Sequence, residues 1–302
     1  MASEASTKVE VPREAQIADA SPASRSRWRV RLGQRARGAA WTVASLGLFV
    51  GIWEAAWAAG LLNPLILPAP HIFLGEIQNQ ERFFGSTVGE SSSGGSFPAL
   101  TAMLASSTRV LAGLAIGFVL SLAVGVIISY SRVARKMTLP TLTLLAPISP
   151  IAWLPVAILF FGIGNKPAIF TVFLGVFFIM TIATISAIEG VDQTYVNVAR
   201  TLGATRRQVM QHVVLPAVMP QVFVVLRINL FAAWMVVLIA EAIGVGSGLG
   251  QMIIAARNTF NADLSFLAMT LIGLTGYLLD TLLRVLQKRL FPWKPASRTF
   301  AT

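Results

Sequence analysis

The chain has 302 residues, of which 55% are hydrophobic and 12% are charged, and it contains no cysteine. This composition argues against a water-soluble protein, and the missing thiols exclude disulfides and thiolate metal sites. A net charge of +11 would suggest nucleic acid in a soluble protein. Here most of the cations fall on one side of the predicted membrane spans, and we expect no nucleic-acid partner.

The first 38 residues are polar, and residues 25–37 (RSRWRVRLGQRAR) are strongly basic. We expect a disordered tail rather than a signal peptide, because the polar leader is too long and no small-residue cleavage site follows the apolar run. Two interpretations of the basic part stay open: it contacts anionic lipid, or it is solvated and serves topology alone.

Six apolar runs follow, each near the roughly 20 residues that a helix needs to cross a bilayer. The runs are continuous rather than alternating, which favours helices over barrel strands. The sequence therefore predicts an all-α membrane protein with about six transmembrane helices. The predicted spans are 39–62, 111–130, 139–161, 168–188, 222–243 and 264–283.

Lysine and arginine are distributed very unevenly between the two sides of these spans. With the N-terminus inside, the inner segments hold eight before the first span, three in 131–137, three in 189–221 and five after the last span. The outer loops hold only Arg82, Lys166 and Arg257. The positive-inside rule thus predicts that both termini are cytoplasmic.

The same topology divides the rest of the chain. Residues 63–108 form the predicted periplasmic loop, in which 70–84 is either an amphipathic surface helix or a plain connector, followed by a glycine- and serine-rich stretch. Residues 109–290 form the predicted membrane core, with a cytoplasmic loop at 189–220, and 291–302 form a cytoplasmic tail.

The cytoplasmic loop predicts two short helices. Asp192 can cap the first, and Gly203 suits the position just after its end, where glycine tolerates positive φ. The apolar positions of this first helix share one face, and they are Tyr195, Val198, Ala199 and Leu202.

The second helix begins with Thr205 and Gln208, which are spaced as a capping box. Val209, Met210 and Val213 lie on one side of it, and Pro216 and Pro220 are expected to bound it. Helices this short need a surface to dock on. They pack either on their own membrane domain or on another protein.

Residues 197–216 (NVARTLGATRRQVMQHVVLP) resemble the cytoplasmic motif of permease subunits of bacterial ATP-binding-cassette importers: EAA, three residues, Gly, nine residues, Ile, one residue, Leu-Pro. The identical matches are Ala199, Gly203, Leu215 and Pro216, and Val213 is a conservative match. Asn197 stands where the family usually has Glu. The residues that the resemblance assigns to ATPase coupling are Ala199, Arg200, Gly203, Ala204, Thr205, Arg206, Val213, Leu215 and Pro216.

The resemblance implies a multi-pass protein of the bacterial inner membrane that forms a homodimer and works with cytoplasmic ATPase subunits and an extracytoplasmic binding protein. ATP and Mg would bind the ATPase, since this chain has no GxxxxGK[ST] motif. We therefore expect a transport subunit without catalytic residues, cofactor or metal of its own.

Residues 147–164 (PISPIAWLPVAILFFGIG) and 240–253 (AEAIGVGSGLGQMI) are similar to the branch of the family that imports nitrate, sulfonates, taurine or bicarbonate. This resemblance implies a small anion as cargo. The alternatives are a non-anionic cargo, such as a pyrimidine precursor, and an ion channel, which would conduct without ATPase partners.

Two features within the spans suggest a translocation path. The prolines of the third span predict a broken helix that lines the path with Ser149, Pro150 and Trp153, or else a kink that serves packing alone. Arg227 either faces the path and attracts an anion or extends to the headgroups. For Glu241 we expect a structural partner such as Arg109 or Lys166.

Overall fold

The computed structural model of the protein describes residues 23–61, 63, 66–75 and 98–292, and all of their regular structure is helical. The predicted all-α class is confirmed. The helices are α1 (Ala23–Ala58), α2 (Pro70–Gly75), α3 (Pro98–Tyr130), α4 (Arg132–Leu145), α5 (Leu154–Phe161), α6 (Asn165–Glu189), α7 (Gln193–Thr201), α8 (Arg206–Val209), α9 (Leu215–Ala240), α10 (Leu249–Asn258) and α11 (Ala262–Leu290). A 3-10 turn (Pro150–Trp153) precedes α5, and π-helical turns (Met210–Val214 and Glu241–Val245) flank α9.

The chain divides into two compact units, Met1–Pro64 and Leu65–Thr302. The first unit contains α1, whose second part is a candidate membrane span at Ala40–Ala58. Because α1 begins at Ala23, residues 23–38 are helical rather than disordered as the composition predicted. Residues 1–22 of the expected tail lie outside the described residues.

Among the described residues, five helical stretches are long and apolar enough to cross a membrane, and a bent pair of helices raises the number to six if it counts as one span. The bent pair joins α4 to α5 at an angle of 90°. It replaces the single span predicted at 139–161. Pro147 and Pro150 have no backbone N–H to donate, and Ser149 has ψ 130, so the helix stops and restarts in a new direction.

The helix of the second predicted span is longer than the apolar run, because α3 starts at Pro98 and includes residues 98–108. Polar side chains lower the hydropathy of residues 98–108. Two of their hydroxyl groups nevertheless form hydrogen bonds to backbone carbonyls of the same helix. The Ser107 hydroxyl donates to the Met103 carbonyl at 2.6 Å and the Thr108 hydroxyl donates to the Ala105 carbonyl at 2.8 Å. Of the helix expected near 70–84, α2 is present and residues 76–97 lie outside the described residues.

Helix α3 packs closely against α6, and small residues on α3 allow this approach. A side chain at Gly113 would meet Val172 at 2.7 Å, and one at Gly117 would meet Val176 at 3.1 Å. Gly125 approaches Thr184 in the same way, at 2.8 Å. These three contacts advance in the same direction along both helices, so α3 and α6 run parallel. Small residues allow this approach, which dispersion then stabilises in a lipid environment.

The bent pair of helices runs back along α6. Arg135, in the first turn of α4, forms an ion pair with Glu189, the last residue of α6. At the other end, just after α5, the Gly164 N–H donates to the Gly244 carbonyl at 3.2 Å, beside the start of α6. The segment between α3 and α6 therefore covers the length of α6 in the opposite direction.

The parallel packing of α3 on α6 predicts that Gly113→Val destabilises the fold, because the valine would overlap Val172 and the Ile169 carbonyl. Overpacking of this kind costs about 1–3 kcal/mol. We expect a melting temperature several degrees below that of the native chain, measured in detergent.

Gly273→Val in α11 is the matched control, since it also places a β-branched residue in a helix but has no atom within 4 Å of the new Cβ. Equal melting temperatures for the two variants would contradict the packing described here.

Candidate functional site

The 189–220 segment begins with a capped helix, α7. The Thr194 backbone N–H donates to Asp192 Oδ1 at 2.8 Å, so the predicted cap is present. This bond favours the charged carboxylate and holds the pKa of Asp192 below its ordinary value. A defined start therefore fixes the direction in which α7 leaves α6.

The turn after α7 depends on a glycine. Gly203 has φ +83, in the left-handed region that the sequence analysis expected for it. Its N–H donates to the Arg200 carbonyl at 2.9 Å, and the Ala204 N–H donates to the Ala199 carbonyl at 3.0 Å. These bonds satisfy the last carbonyls of α7 and close the turn without a flexible linker.

The second helix opens with the predicted capping box. The Thr205 N–H donates to Gln208 Oε1 at 2.8 Å, and the Gln208 N–H donates to Thr205 Oγ1 at 3.4 Å. Each side chain thus satisfies a backbone N–H that the first helical turn leaves without a partner.

The expected end of the second helix is wrong, because no break separates it from the fifth span. Residues Arg206–Val245 form one helical stretch of 40 residues. Pro216 lies in the first turn of α9 and Pro220 lies inside it. The π-helical turn Met210–Val214 widens the helix just before these prolines, which is a recognised way to relieve disrupted hydrogen bonds.

The 189–220 segment both packs on its own membrane unit and leaves an apolar face uncovered. Val196, Val209 and Val214 are buried in the main core. On α7, Tyr195 is 63% exposed and Leu202 is 82% exposed. The segment is therefore anchored on one side and exposed on the other.

The remaining predicted coupling residues fall on both sides of this segment. Arg200, Thr205 and Arg206 are exposed, as is Pro216. Ala199, Ala204, Val213 and Leu215 are half-buried. Asn197, which replaces the usual Glu of the motif, is exposed and lines a shallow groove on α7 with Val198 and Leu202.

The predicted path residues lie at the break between α4 and α5. Pro150 packs closely on Gly175 of α6, whose added Cβ would lie 2.8 Å from the Pro150 ring. Trp153 is half-buried, and its indole N–H has no hydrogen-bond partner among the described residues. Both line a small cavity of about 40 Å³, and Ser149 is exposed beside it.

Arg227 is bound to a carboxylate that the sequence analysis did not single out. Its Nε donates to Asp280 Oδ1 at 2.5 Å, and its Nη2 donates to Oδ2 at 3.1 Å. Arg284 of α11 binds the same carboxylate. Two guanidinium groups thus share one carboxylate, which leaves a net positive charge between α9 and α11. The i, i+4 spacing of Asp280 and Arg284 was the signal available in the sequence.

A second ionic cluster lies at the other end of α9 from the Arg227–Asp280 pair. It confirms Arg109 as the partner of Glu241. Arg109 Nη1 lies 2.5 Å from Glu241 Oε1, and both side chains are buried. Arg109 also donates from Nε to Asn165 Oδ1 at 2.8 Å and from Nη2 to Ser247 Oγ at 2.6 Å. One guanidinium therefore ties α3 to the start of α6 and to the end of the α9 stretch.

The other oxygen of Glu241 is satisfied as well. Ser106 Oγ donates to Oε2 at 2.8 Å, and the Gly250 N–H donates to the same oxygen at 3.0 Å. Gly248 has φ +98, and a side chain there would strike the Glu241–Arg109 pair. The glycine-rich stretch before α10 thus wraps a buried ion pair. Within the described part of the chain, no His, Cys, Asp and Glu side chains cluster as a metal site.

Comparison with known proteins agrees with this geometry. Residues 113–294 match the family described as the binding-protein-dependent transport system inner membrane component. The taurine transport system permease protein of Escherichia coli (strain K12) is 29% identical over 272 residues, which cover 89% of this chain and 94% of that protein. The bicarbonate transport system permease protein of Synechococcus elongatus is 33% identical over 187 residues, which cover 61% of this chain and 67% of that protein.

A solved structure shares the fold. It is a bacterial ABC transporter involved in the import of the acidic polysaccharide alginate, with a TM-score of 0.54 at 15% identity, covering 86% of this chain and 99% of that one. The fold and the matched family together define a membrane-spanning component of a transporter. The chain belongs to the binding-protein-dependent inner membrane components, and it is an ABC importer permease, a transport subunit without catalysis of its own.

The buried pair predicts strong and non-additive effects of substitution. Arg109→Met leaves Glu241 buried without its cation, and Glu241→Gln leaves the guanidinium without its anion, so each should lower the stability by about 3–5 kcal/mol. We expect the double variant to cost clearly less than the sum of the two, measured by thermal unfolding in detergent.

Arg135→Gln is the control, because its ion pair with Glu189 is 40% exposed on each side. Breaking such a pair should cost at most about 1 kcal/mol. Additive losses in the double variant would show that Arg109 and Glu241 do not act as a pair.

Proposed function

We propose that this permease docks a cytoplasmic ATPase on its 189–220 segment and carries a small anion inward. The observation that carries the proposal is the exposed apolar face of α7, where Tyr195, Val198 and Leu202 follow one another at helical spacing. Val198 is 56% exposed, although large apolar side chains in an aqueous compartment are normally covered. An apolar cleft of the ATPase would cover them.

The coupling roles follow from the position of each residue. Ala199, Gly203 and Ala204 shape the tight turn, and Thr205 starts the second helix. Exposed Arg200 and Arg206 provide charge beside the apolar face. The mechanical link is the stretch with Val213, Leu215 and Pro216, since it continues into α9 without a break. Movement of the ATPase subunits would displace α7 and α8 and, through this continuous helix, the membrane part of α9.

We propose six spans with both termini in the cytoplasm. Two parallel spans need a connection that returns across the membrane, and α3 and α6 are parallel. The bent pair α4–α5 covers the length of α6 in reverse, which favours a broken span over a re-entrant loop. The positive-inside count then orients α7 towards the cytoplasm.

The anionic cargo is supported by relatives and by charge. The relatives described above are named for taurine and bicarbonate transport, both of which concern small polar molecules carrying an anionic group. In this chain, Arg227 and Arg284 share the single carboxylate of Asp280, so a net positive charge remains between α9 and α11. We propose that Arg227 faces the path, together with Ser149, Pro150 and Trp153 at the broken helix.

The proposed assembly has two copies of this chain, two ATPase subunits that bind ATP and Mg, and an external binding protein. The second copy is supported by an uncovered apolar stripe on α9, the helix at the centre of the core. Ile228, Phe231 and Met235 form this stripe, and each is more than half exposed. Family membership implies the ATPase and the binding protein.

Docking predicts that Gly203→Asp weakens association with the ATPase subunit. The substitution adds a charged side chain beside Leu202 and strains a backbone with φ +83, while open space around the Cβ avoids a clash. The strain alone costs about 1–2 kcal/mol, so the permease should still insert. We expect the ATPase recovered by co-purification to fall several-fold.

Gly162→Asp is the matched control, since Gly162 has φ +75 and open space but lies at the end of α5, remote from α7. Undiminished ATPase recovery with Gly203→Asp, or equal loss with both variants, would contradict docking at this turn.

The cargo class predicts the ligand of the cognate binding protein. Calorimetric titration of that protein should show binding of at least one of taurine, an alkanesulfonate, nitrate and bicarbonate, and none of a neutral pyrimidine precursor. Binding of the neutral compound alone would overturn the anionic cargo and leave the permease assignment unchanged.

A further inference from the structure

We infer that a groove between α3 and the 189–220 segment binds one anionic phospholipid of the cytoplasmic leaflet. The groove has a volume of about 740 Å³. One wall is the last part of α3, and the other is the helix start at α8 with the π-helical turn. The residues that line it are Val119, Leu122, Ala123, Val126, Ile127, Tyr130, Arg207, Met210, Gln211 and Leu215.

The long axis of the groove separates apolar from polar residues. The α3 wall is apolar from Val119 to Ile127, and this part lies inside the candidate span Ala99–Tyr130. The polar residues are Tyr130, the last residue of α3, and Arg207 and Gln211 at the start of the helical stretch Arg206–Val245. An occupant must therefore be apolar at bilayer depth and polar at the membrane surface.

The positive charge of Arg207 predicts that the polar end of this occupant is anionic. None of the described residues lining the groove is acidic, and Arg207 is exposed with no hydrogen-bond acceptor among the described residues. A guanidinium binds a phosphate with two parallel hydrogen bonds. Tyrosine is also favoured at the level of the headgroups, where its ring is buried and its hydroxyl is hydrated. Together they fit a phosphate group above an acyl chain, in the orientation proposed for the spans.

The lipid would touch the helix that carries the coupling motion. Met210 and Leu215 line the groove and belong to the π-helical turn and the start of α9. Val209 and Val214, on the same stretch, are already fixed in the core. An acyl chain between α3 and this stretch would therefore fill the space left on its outer side and hold its position relative to α3.

The test measures lipid retention by the full-length chain, without ATP or cargo, so its outcome does not depend on the proposed transport function. Native mass spectrometry counts the lipids carried out of nanodiscs that contain equal amounts of phosphatidylglycerol and phosphatidylcholine. For the native chain we expect more phosphatidylglycerol than phosphatidylcholine. Arg207→Gln should lower this ratio by about fivefold, since one cation near an anionic surface contributes roughly 1 kcal/mol.

Two further variants test the acyl-chain contact and the specificity of the headgroup contact independently. Ala123 is exposed on the apolar wall, so Ala123→Phe should fill the groove and lower the retention of both lipids. Lys136→Gln removes an exposed cation of α4 that does not line the groove, and it should leave the ratio unchanged. An unchanged ratio in Arg207→Gln, or an equal fall in Lys136→Gln, would overturn the proposed site.

A second copy of the chain is the rival occupant, and the absence of cysteine allows a direct test. In Ala123→Cys the new thiol would be the only one in the protein. If lipid fills the groove, we expect an oxidant to form no dimer through this thiol. Disulfide-linked dimers through position 123 would show that a second copy covers the groove and would overturn the lipid assignment.

Discussion

The fold depends on the close approach of α3 and α6, which the missing side chains of Gly113, Gly117 and Gly125 allow. In a bilayer, helices gain little from burying apolar surface against each other, because lipid is equally apolar. Close contact over several turns supplies the attraction instead. Since the contacts place α3 and α6 in parallel, the chain between them has to return, and it does so through a helix broken at its prolines.

The two ionic clusters act at opposite ends of this arrangement. Arg109 and Glu241 are buried and hydrogen-bonded, and they join α3, α6 and the end of the α9 stretch. The pair Arg227–Asp280 joins α9 to α11 and remains partly exposed. The buried pair therefore fixes the last part of the α9 stretch to its neighbours, and the partly exposed pair holds the first part less firmly. The proposed coupling motion would displace this first part of α9.

The local structure of the 189–220 segment could be predicted because it depends on near neighbours. The cap at Asp192, the turn at Gly203 and the box of Thr205 with Gln208 each involve residues within five positions, and all three are present. The continuity of α8 with α9 was not predictable from Pro216, since a π-helical turn can accommodate proline inside a long helix. The same limit applied to the third predicted span, where the prolines left open a broken helix or a kink and did not give the 90° angle.

By itself, the sequence determined the helical class and the approximate number of spans, because both follow from composition and from the length of the apolar runs. The family followed from the resemblance of the cytoplasmic motif. For Glu241 the sequence predicted a cationic partner, because an unpaired charge is costly in a membrane, but it left Arg109 and Lys166 both open. Only the tertiary structure decided that residues 98–108 continue the helix of the second predicted span, that Asp280 binds Arg227, and that α7 is anchored through Val196 with its other face uncovered. These depend on contacts between residues far apart in the chain or on which face a neighbour covers. The sequence pattern of a single segment indicates neither its distant contacts nor the face that a neighbour covers.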